Sequence, residues 1–177
     1  MRLTIVLLVC ASFDSTCLAM QSRSNRLPAS ARALLNRRFP GWKFGDITPE
    51  VQQFFNESLK DASPVLISGD FDGNGRRDYA ALIKHGKEFN YLGTPFSDRH
   101  LLVIFLRRTR SYRMYVVKDA TAGNYITLAK KGTSDYNYGT DKQVTYANDA
   151  IQLNYFEKGA TSFVYKKGRF ISFISGD

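Results

Sequence analysis

The hydrophobic pattern changes near Pro64, from helical spacing before it to short apolar runs after it. Following Thr48, apolar residues recur three and four positions apart, which predicts an amphipathic helix whose apolar face holds Val51, Phe54, Phe55 and Leu59. Thr48 is suited to cap this helix and Pro49 to occupy its first position. A weaker helical pattern begins at Ser30, which we expect to cap it, and ends before Pro40.

After Val65 the pattern predicts β-strands. Residues 101–106 are continuously apolar, which is typical of a buried central strand, and residues 107–111 predict a hairpin turn to a partner strand. Further strands are expected at 112–118, 125–129 and 143–146, followed by a meander at 151–156, 161–166 and 170–175. Residues 85–100 and 130–142 are expected as two long loops. Helices followed by strands favour an α+β domain in which the N-terminal helices pack on a mostly antiparallel β-sheet.

A loop rich in oxygen-bearing side chains lies at residues 70–78, between two predicted strands. Calcium takes six to eight oxygen ligands, and Gly73 and Gly75 permit the sharp turn that brings oxygens together. Position 12 of the loop is Ala81 instead of the glutamate of an EF-hand, and the flanks are strands, so this is not an ordinary EF-hand. Residue 76 offers its backbone carbonyl and the others their side chains, which predicts a calcium site formed by Asp70, Asp72, Asn74, Arg76 and Asp78.

Residues 67–80, with the sequence ISGDFDGNGRRDYA, resemble the calcium-binding loop of FG-GAP and VCBS-type repeats. In those repeats an aspartate-rich loop joins two strands and binds calcium, and they occur in integrin-like propellers and in many secreted bacterial proteins. The chain contains no second copy, so a propeller is not implied. The resemblance implies a small exported protein with one calcium loop at residues 70–78. The alternative interpretation is a glycine-rich turn in which the aspartates only cap the backbone.

The N-terminus has the pattern of a secretory signal peptide. Arg2 precedes a short apolar run at 3–11, and the small residues Cys17 and Ala19 predict cleavage after Ala19, so that 1–19 is removed. The alternative, a membrane anchor, requires about 20 apolar residues. We expect residues 20–29 to form a flexible arm and 30–177 a single domain. Both cysteines lie in the predicted signal, so the mature chain is expected to be exported, periplasmic or secreted, without disulfides or a transmembrane segment.

The chain is basic, with 25 Lys and Arg residues against 16 Asp and Glu residues and a formal charge of +9. This balance suits an anionic partner, such as lipid head groups, cell-wall polymers or an acidic protein, or serves solubility alone. The basic residues occur as small clusters spread along the sequence, which we interpret as solvated turns: 37–38, 76–77, 107–110, 130–131 and 166–167.

The sequence contains no recognisable catalytic set. His85 and His100 stand at the two ends of one segment, but no Gly-x-Ser-x-Gly elbow or phosphate-binding glycine loop accompanies them. The pattern therefore favours a monomeric, non-catalytic binding or accessory protein with a structural Ca²⁺, whose partner is a protein or a cell-envelope glycan rather than nucleic acid. The alternatives are an extracytoplasmic inhibitor or immunity-type protein, and a small hydrolase with an unrecognised site.

Overall fold

The computed structural model of the chain describes residues 26–60, 62–91, 94–97 and 99–176. The predicted signal peptide at 1–19 lies outside the described residues, as does most of the predicted arm. At the end of that arm, Leu27 is only 4% exposed and packs in the core. Burial of this side chain fixes the backbone beside it, so the expectation of a flexible arm does not extend to Leu27.

Two short helices and thirteen strands lie in the described part of the chain. The helices are α1 (Ala29–Arg38) and α2 (Pro49–Ser58). The strands are β1 (Lys43–Phe44), β2 (Leu66–Gly69), β3 (Asp78–Lys84), β4 (Glu88–Tyr91), β5 (Thr94–Ser97), β6 (His100–Arg107), β7 (Tyr112–Ala120), β8 (Tyr125–Ala129), β9 (Ser134–Asn137), β10 (Lys142–Thr145), β11 (Ala150–Tyr155), β12 (Gly159–Lys166) and β13 (Arg169–Gly176).

Helix α2 begins as the sequence predicts. Thr48 Oγ1 accepts a hydrogen bond from the backbone N–H of Val51 at 3.5 Å, and Val51 and Phe55 are buried. Helix α1 differs from the prediction, because it begins at Ala29 after Pro28, with no side-chain cap. Ser30 is therefore inside the first turn of α1, and the prediction that it caps this helix is wrong.

The strands form two principal sheets, in which every pairing is antiparallel. In the first sheet β7, β6 and β3 are neighbours, and β1 and β2 both pair with β3. The second sheet has the order β8–β11–β12–β13, so the predicted C-terminal meander is confirmed. The mostly antiparallel β-structure with two short helices fits the α+β class in its broad sense.

The two segments expected as long loops contain strands instead. Strands β4 and β5 pair within residues 85–100, and β9 and β10 pair across residues 134–145. Strand β10 confirms the strand expected at 143–146, one residue earlier in the chain. Strand β9 carries mostly polar side chains, so no apolar run marks it in the sequence. The two strands form because neighbouring segments satisfy each other's backbone hydrogen bonds.

Strand β6 divides the core into two layers. Leu101, Val103 and Phe105 lie in one buried cluster with Ala31 and Leu35 of α1. The β6 side chains on the opposite face are Leu102, Ile104 and Leu106. They lie in a second cluster, which also includes side chains of β8, β11 and β12. Successive strand side chains point to opposite faces, so a strand covered on both faces must be apolar throughout.

None of the described helices is both long and apolar enough to cross a bilayer.

Candidate metal centre

The oxygen-rich loop connects β2 to β3. These strands are paired in antiparallel register from Leu66↔Ala81 to Gly69↔Asp78, so the loop leaves and re-enters the sheet at adjacent positions. Two glycines turn the chain, with φ of +75° at Gly73 and +76° at Gly75. An L-residue rarely adopts this left-handed conformation, which explains the glycines in the sequence.

Three carboxylates of the loop converge. Asp70, Asp72 and Asp78 each offer an oxygen, and these oxygens lie within 4.8 Å of one another. Asp70 and Asp72 are partly buried, whereas Asp78 has no exposed surface. Within the described residues, this is the one group of three potential metal-ligating side chains that meets that distance.

The loop is also held by its own backbone. Asp70 accepts hydrogen bonds from the N–H groups of Asn74, at 3.0 Å, and Gly75, at 2.9 Å. Asp72 Oδ1 accepts a longer one from Asn74, at 3.3 Å, and Asn74 Oδ1 accepts one from the N–H of Arg76, at 2.8 Å. The guanidinium of Arg76 points elsewhere, to Thr109 Oγ1 at 3.3 Å. The side chains of Asn74 and Arg76 therefore shape and flank the loop, and their role as cation ligands stays a prediction.

Asp78 fastens the loop to the sheet beneath it. Its Oδ2 accepts the N–H of Phe71 at 2.9 Å and its Oδ1 accepts the N–H of Arg107 at 2.6 Å. Burial raises the pKa of Asp78 to about 6, and the nearby charge of Asp72 adds to this, although the backbone hydrogen bonds oppose it. The ionised form of Asp78 is therefore costly in the absence of a nearby positive charge.

Arg108 supplies a positive charge to the carboxylate cluster. Its Nη1 donates to Asp72 Oδ2 at 2.7 Å, and the Asp72 side chain is only 4% exposed. Burial alone would lower the pKa of Arg108, but hydrogen bonds to Asp72 and Tyr165 hold that pKa above its ordinary value. Arg108 thus neutralises part of the charge that the three carboxylates concentrate in the loop.

Asp149 ties the loop to the second sheet. Its Oδ2 accepts the N–H of Asp70 at 3.0 Å and its Oδ1 accepts the N–H of Lys131, also at 3.0 Å. Burial alone would raise the pKa of Asp149, but these bonds and the charge of Lys130, 3.7 Å away, lower it. Beside it, Asn148 lies so close to the loop that a Cβ on Gly73 would stand 2.5 Å from Asn148 Oδ1.

Sequence reasoning missed the residues that support the site from outside the loop. Asp149 lies 79 positions from Asp70, and Arg108 lies 36 positions from Asp72. No local pattern in the sequence links these residues to the loop, and Asp149 had no feature that set it apart from other acidic residues. Only the basic cluster at 107–110 carried a signal, and that signal pointed to a solvated turn.

The two histidines contact different groups. His100 Nε2 lies 3.1 Å from Asp46 Oδ2, and the same carboxylate accepts a hydrogen bond from Lys84 Nζ at 2.6 Å. The ring of His85 makes an edge contact with Phe39 at 5.5 Å between centroids. The His100 side chain is 7% exposed, so Asp46, Lys84 and His100 form a largely buried polar cluster.

Comparison with known proteins identified no relative. No protein-family model, curated protein or solved structure matches the chain. The resemblance of residues 67–80 to FG-GAP and VCBS-type loops therefore stays a prediction from the sequence, and the functional interpretation depends on the geometry of the site.

Proposed function

We propose that residues 70–78 bind Ca²⁺ as a structural ion in a non-catalytic binding or accessory protein. The observation that carries this proposal is the convergence of Asp70, Asp72 and Asp78, whose oxygens lie within 4.8 Å of one another in a loop between two paired strands. Like charges at this distance repel, and a divalent cation removes the repulsion. Burial raises the pKa of Asp78 to about 6, and the charge of Asp72 adds a smaller contribution to this increase.

The proposed ligand set is mixed. The three carboxylates would supply most of the charge, Asn74 a side-chain oxygen and Arg76 its backbone carbonyl. A carboxylate has about four lone-pair sites, so the hydrogen bonds to Asp70 and Asp78 leave room for a cation. Calcium accepts such irregular sets of six to eight oxygens, with water completing the shell. Magnesium demands octahedral geometry and retains its water, so we expect weaker binding of Mg²⁺.

A structural role is supported by the surroundings of the loop. Asp78 accepts a hydrogen bond from the N–H of Arg107 at the end of β6, and the N–H of Asp70 donates one to Asp149, which directly precedes β11. A cation bound to the carboxylates of Asp70 and Asp78 would therefore link the two sheets at one end. An ion that binds only the folded chain stabilises it, by about 2.7 kcal/mol at one hundred times its Kd.

Thermal unfolding of the full chain in Ca²⁺, in Mg²⁺ and in chelator tests the proposal. We expect excess Ca²⁺ to raise the Tm by roughly 5–10 °C. Asp70→Asn keeps an acceptor for one of the two loop hydrogen bonds and removes a charge, so it should abolish most of this gain. Asp119→Asn is the matched control, because Asp119 is exposed on β7 and its loss changes the net charge equally.

Calorimetric titration provides the direct measurement. We expect one Ca²⁺ per chain, with heat that disappears in Asp70→Asn and persists in Asp119→Asn. Identical unfolding curves in Ca²⁺ and chelator, with no heat of binding, would contradict the proposal. The loop would then be an acidic turn held by its own hydrogen bonds and by Arg108.

Export of the protein is part of the same proposal and rests on the N-terminal sequence. A Ca²⁺ loop of this kind suits a compartment where Ca²⁺ is abundant, and the partner we propose there is a protein or a cell-envelope glycan. The mass of the protein recovered from a secreting host tests this, because cleavage after Ala19 removes a defined fragment.

We also propose that α1 and α2 cover the β-structure. Burial of Ala31, Leu35, Val51 and Phe55 supports this.

A further inference from the structure

The turns at one end of both sheets bring separate basic clusters together. In the first sheet Tyr79 pairs with Phe105, so the 70–77 loop and the 108–111 turn lie at the same end. In the second sheet Ala150 pairs with Ala129 and Ile151 with Phe163, so residues 130–133, 146–149 and 166–169 share one end.

The contacts described for the loop join these two ends into one surface. Asp149 accepts the N–H of Asp70 at 3.0 Å, and Arg76 reaches Thr109 at 3.3 Å. Arg108 interacts with Tyr165, which directly precedes the 166–169 turn. Four of the five basic clusters that are scattered in the sequence are therefore neighbours in the fold. We call this surface the basic end, and its exposed cations are Arg76, Arg77, Arg110, Lys130, Lys131, Lys166, Lys167 and Arg169.

The acidic residues of the basic end do not cancel this charge at the surface. Asp70, Asp72 and Asp149 are partly buried and accept hydrogen bonds from the loop, from Arg108 and from Lys131. In these turns every fully exposed charged residue is basic. The exposed charges at this end of the molecule are therefore positive, and the carboxylates lie beneath them.

We propose that the basic end docks on an anionic phospholipid bilayer. The exposed cations are distributed over turns of both sheets, which suits a surface that carries many separate negative groups better than one small anion. An open depression of about 540 Å³ lies at this end, lined by Thr109, Tyr112 and three arginines. The arginines are Arg76, Arg77 and Arg107. Guanidinium groups bind phosphate oxygens in a bidentate manner, which suits phospholipid head groups.

A single-stranded nucleic acid fits this surface less well. Single strands are held by exposed aromatic rings on which bases stack. The large exposed aromatic side chains of the described residues are Phe44, Tyr136 and Tyr138, and none lies in the turns of the basic end. The ring of Tyr112, which follows the 108–111 turn, is covered by the guanidinium of Arg107 at 4.9 Å from its centroid.

Co-sedimentation with vesicles tests the proposal independently of the calcium site, because it is run in chelator. The full chain should sediment with vesicles of phosphatidylcholine and phosphatidylglycerol, and not with phosphatidylcholine alone. Binding should weaken steeply with added salt, since it depends on exposed charges. Each basic residue near an anionic bilayer contributes substantially, so Arg110→Gln, Lys131→Gln and Lys167→Gln together should weaken binding roughly tenfold to a hundredfold.

The matched control changes the net charge equally on a different surface. Arg32→Gln, Arg37→Gln and Arg38→Gln are exposed changes on α1, and this triple variant should bind nearly as well as the unchanged chain. Melting temperatures of both triple variants establish that they fold, and the double variant Arg110→Gln, Lys167→Gln serves if the triple change at the basic end impairs folding.

Three results would overturn the proposal. The first is no sedimentation with anionic vesicles at low salt. The second is an equal loss of binding in both triple variants, which would show an effect of net charge alone. The third is retention on double-stranded DNA without binding to vesicles, which would assign the basic end to a soluble polyanion. A protein that binds vesicles as expected but shows no response to Ca²⁺ would leave this proposal standing and contradict only the proposed function.

Discussion

Arg108 Nη1 lies 2.7 Å from Asp72 Oδ2, so a guanidinium from the β6–β7 turn enters the carboxylate cluster of the β2–β3 loop. This contact places a fixed positive charge beside the three carboxylates that we propose as cation ligands. The same residue contributes to holding the loop in the absence of an ion and opposes the entry of one. The balance between Arg108 and a divalent cation is therefore a measurable property of the site.

Replacement of Arg108 by glutamine should strengthen Ca²⁺ binding. The change removes a positive charge that repels the incoming ion, and it frees an oxygen of Asp72. A partly exposed charge pair interacts by roughly 1 kcal/mol, so we expect the Kd for Ca²⁺ to fall by about three- to tenfold. Calorimetric titration measures the Kd. Arg32→Gln, a remote change on α1 with the same loss of charge, should leave it unchanged. A weaker affinity in Arg108→Gln would show that Arg108 supports the bound loop.

Gly73→Ala should destabilise the protein more than Gly75→Ala. Both residues have nearly the same φ, +75° and +76°, so alanine meets the same backbone strain at each, of about 1–2 kcal/mol. At Gly73 a Cβ would also lie 2.5 Å from Asn148 Oδ1, whereas nothing lies within 4 Å at Gly75. The difference between the two free energies of unfolding therefore isolates the crowding against Asn148. Adding Asn148→Ala to Gly73→Ala should restore part of the loss, and equal losses at both glycines would contradict the close approach.

Asp149→Ala should destabilise the fold by about 1–3 kcal/mol, because the N–H groups of Asp70 and Lys131 lose their acceptors. The loop would also lose its link to the second sheet and become less well ordered, so the Kd for Ca²⁺ should rise although Asp149 is not a proposed ligand. Chemical unfolding and calorimetric titration measure the two effects. Asp119→Ala, at an exposed site on β7, is the control. An unchanged free energy of unfolding in Asp149→Ala would show that this link contributes nothing.

Tyr146 should give the protein a specific sensitivity to alkali. Its hydroxyl donates to Asp135 at 2.9 Å and lies 2.7 Å from Ser162 Oγ, and burial raises the pKa of Tyr146 to about 12. A pKa that is raised on folding gives a stabilisation that is complete below the ordinary value of 10 and is lost as the pH rises to 12. Two pH units correspond to about 2.7 kcal/mol.

The Tyr146→Phe variant tests this expectation. At neutral pH it should be less stable than the unchanged chain by about 1–3 kcal/mol, since the partners of the hydroxyl lose a hydrogen bond. Phenylalanine does not ionise, so the gap in free energy of unfolding between the two proteins should narrow as the pH rises from 10 to 12. Tyr138→Phe, at a tyrosine that is 49% exposed, controls for the loss of a phenol. A gap that stays constant over this pH range would contradict the raised pKa.

Local patterns predicted the elements whose stability is decided nearby. The cap at Thr48, the apolar positions Val51 and Phe55, and the continuous run of β6 were visible because capping and burial impose a spacing on the sequence. The same reasoning failed for β9, since its stability comes from pairing with β10 and its polar side chains leave no period to detect. It also failed at Ser30, because helix α1 begins at Ala29, two residues before the start that a Ser30 cap would give, and burial of Ala31 and Leu35 fixes the position of the helix.

The sequence alone determined that an aspartate- and glycine-rich turn would separate two strands, because oxygen spacing and positive φ are properties of a few consecutive residues. The tertiary structure decided what surrounds that turn. Asp149 and Arg108 reach it from positions that no local spacing connects to it, and the scattered basic clusters meet only because antiparallel pairing brings the ends of distant strands together. Chain direction and register, which depend on the packing of both sheets, therefore set the charge around the site.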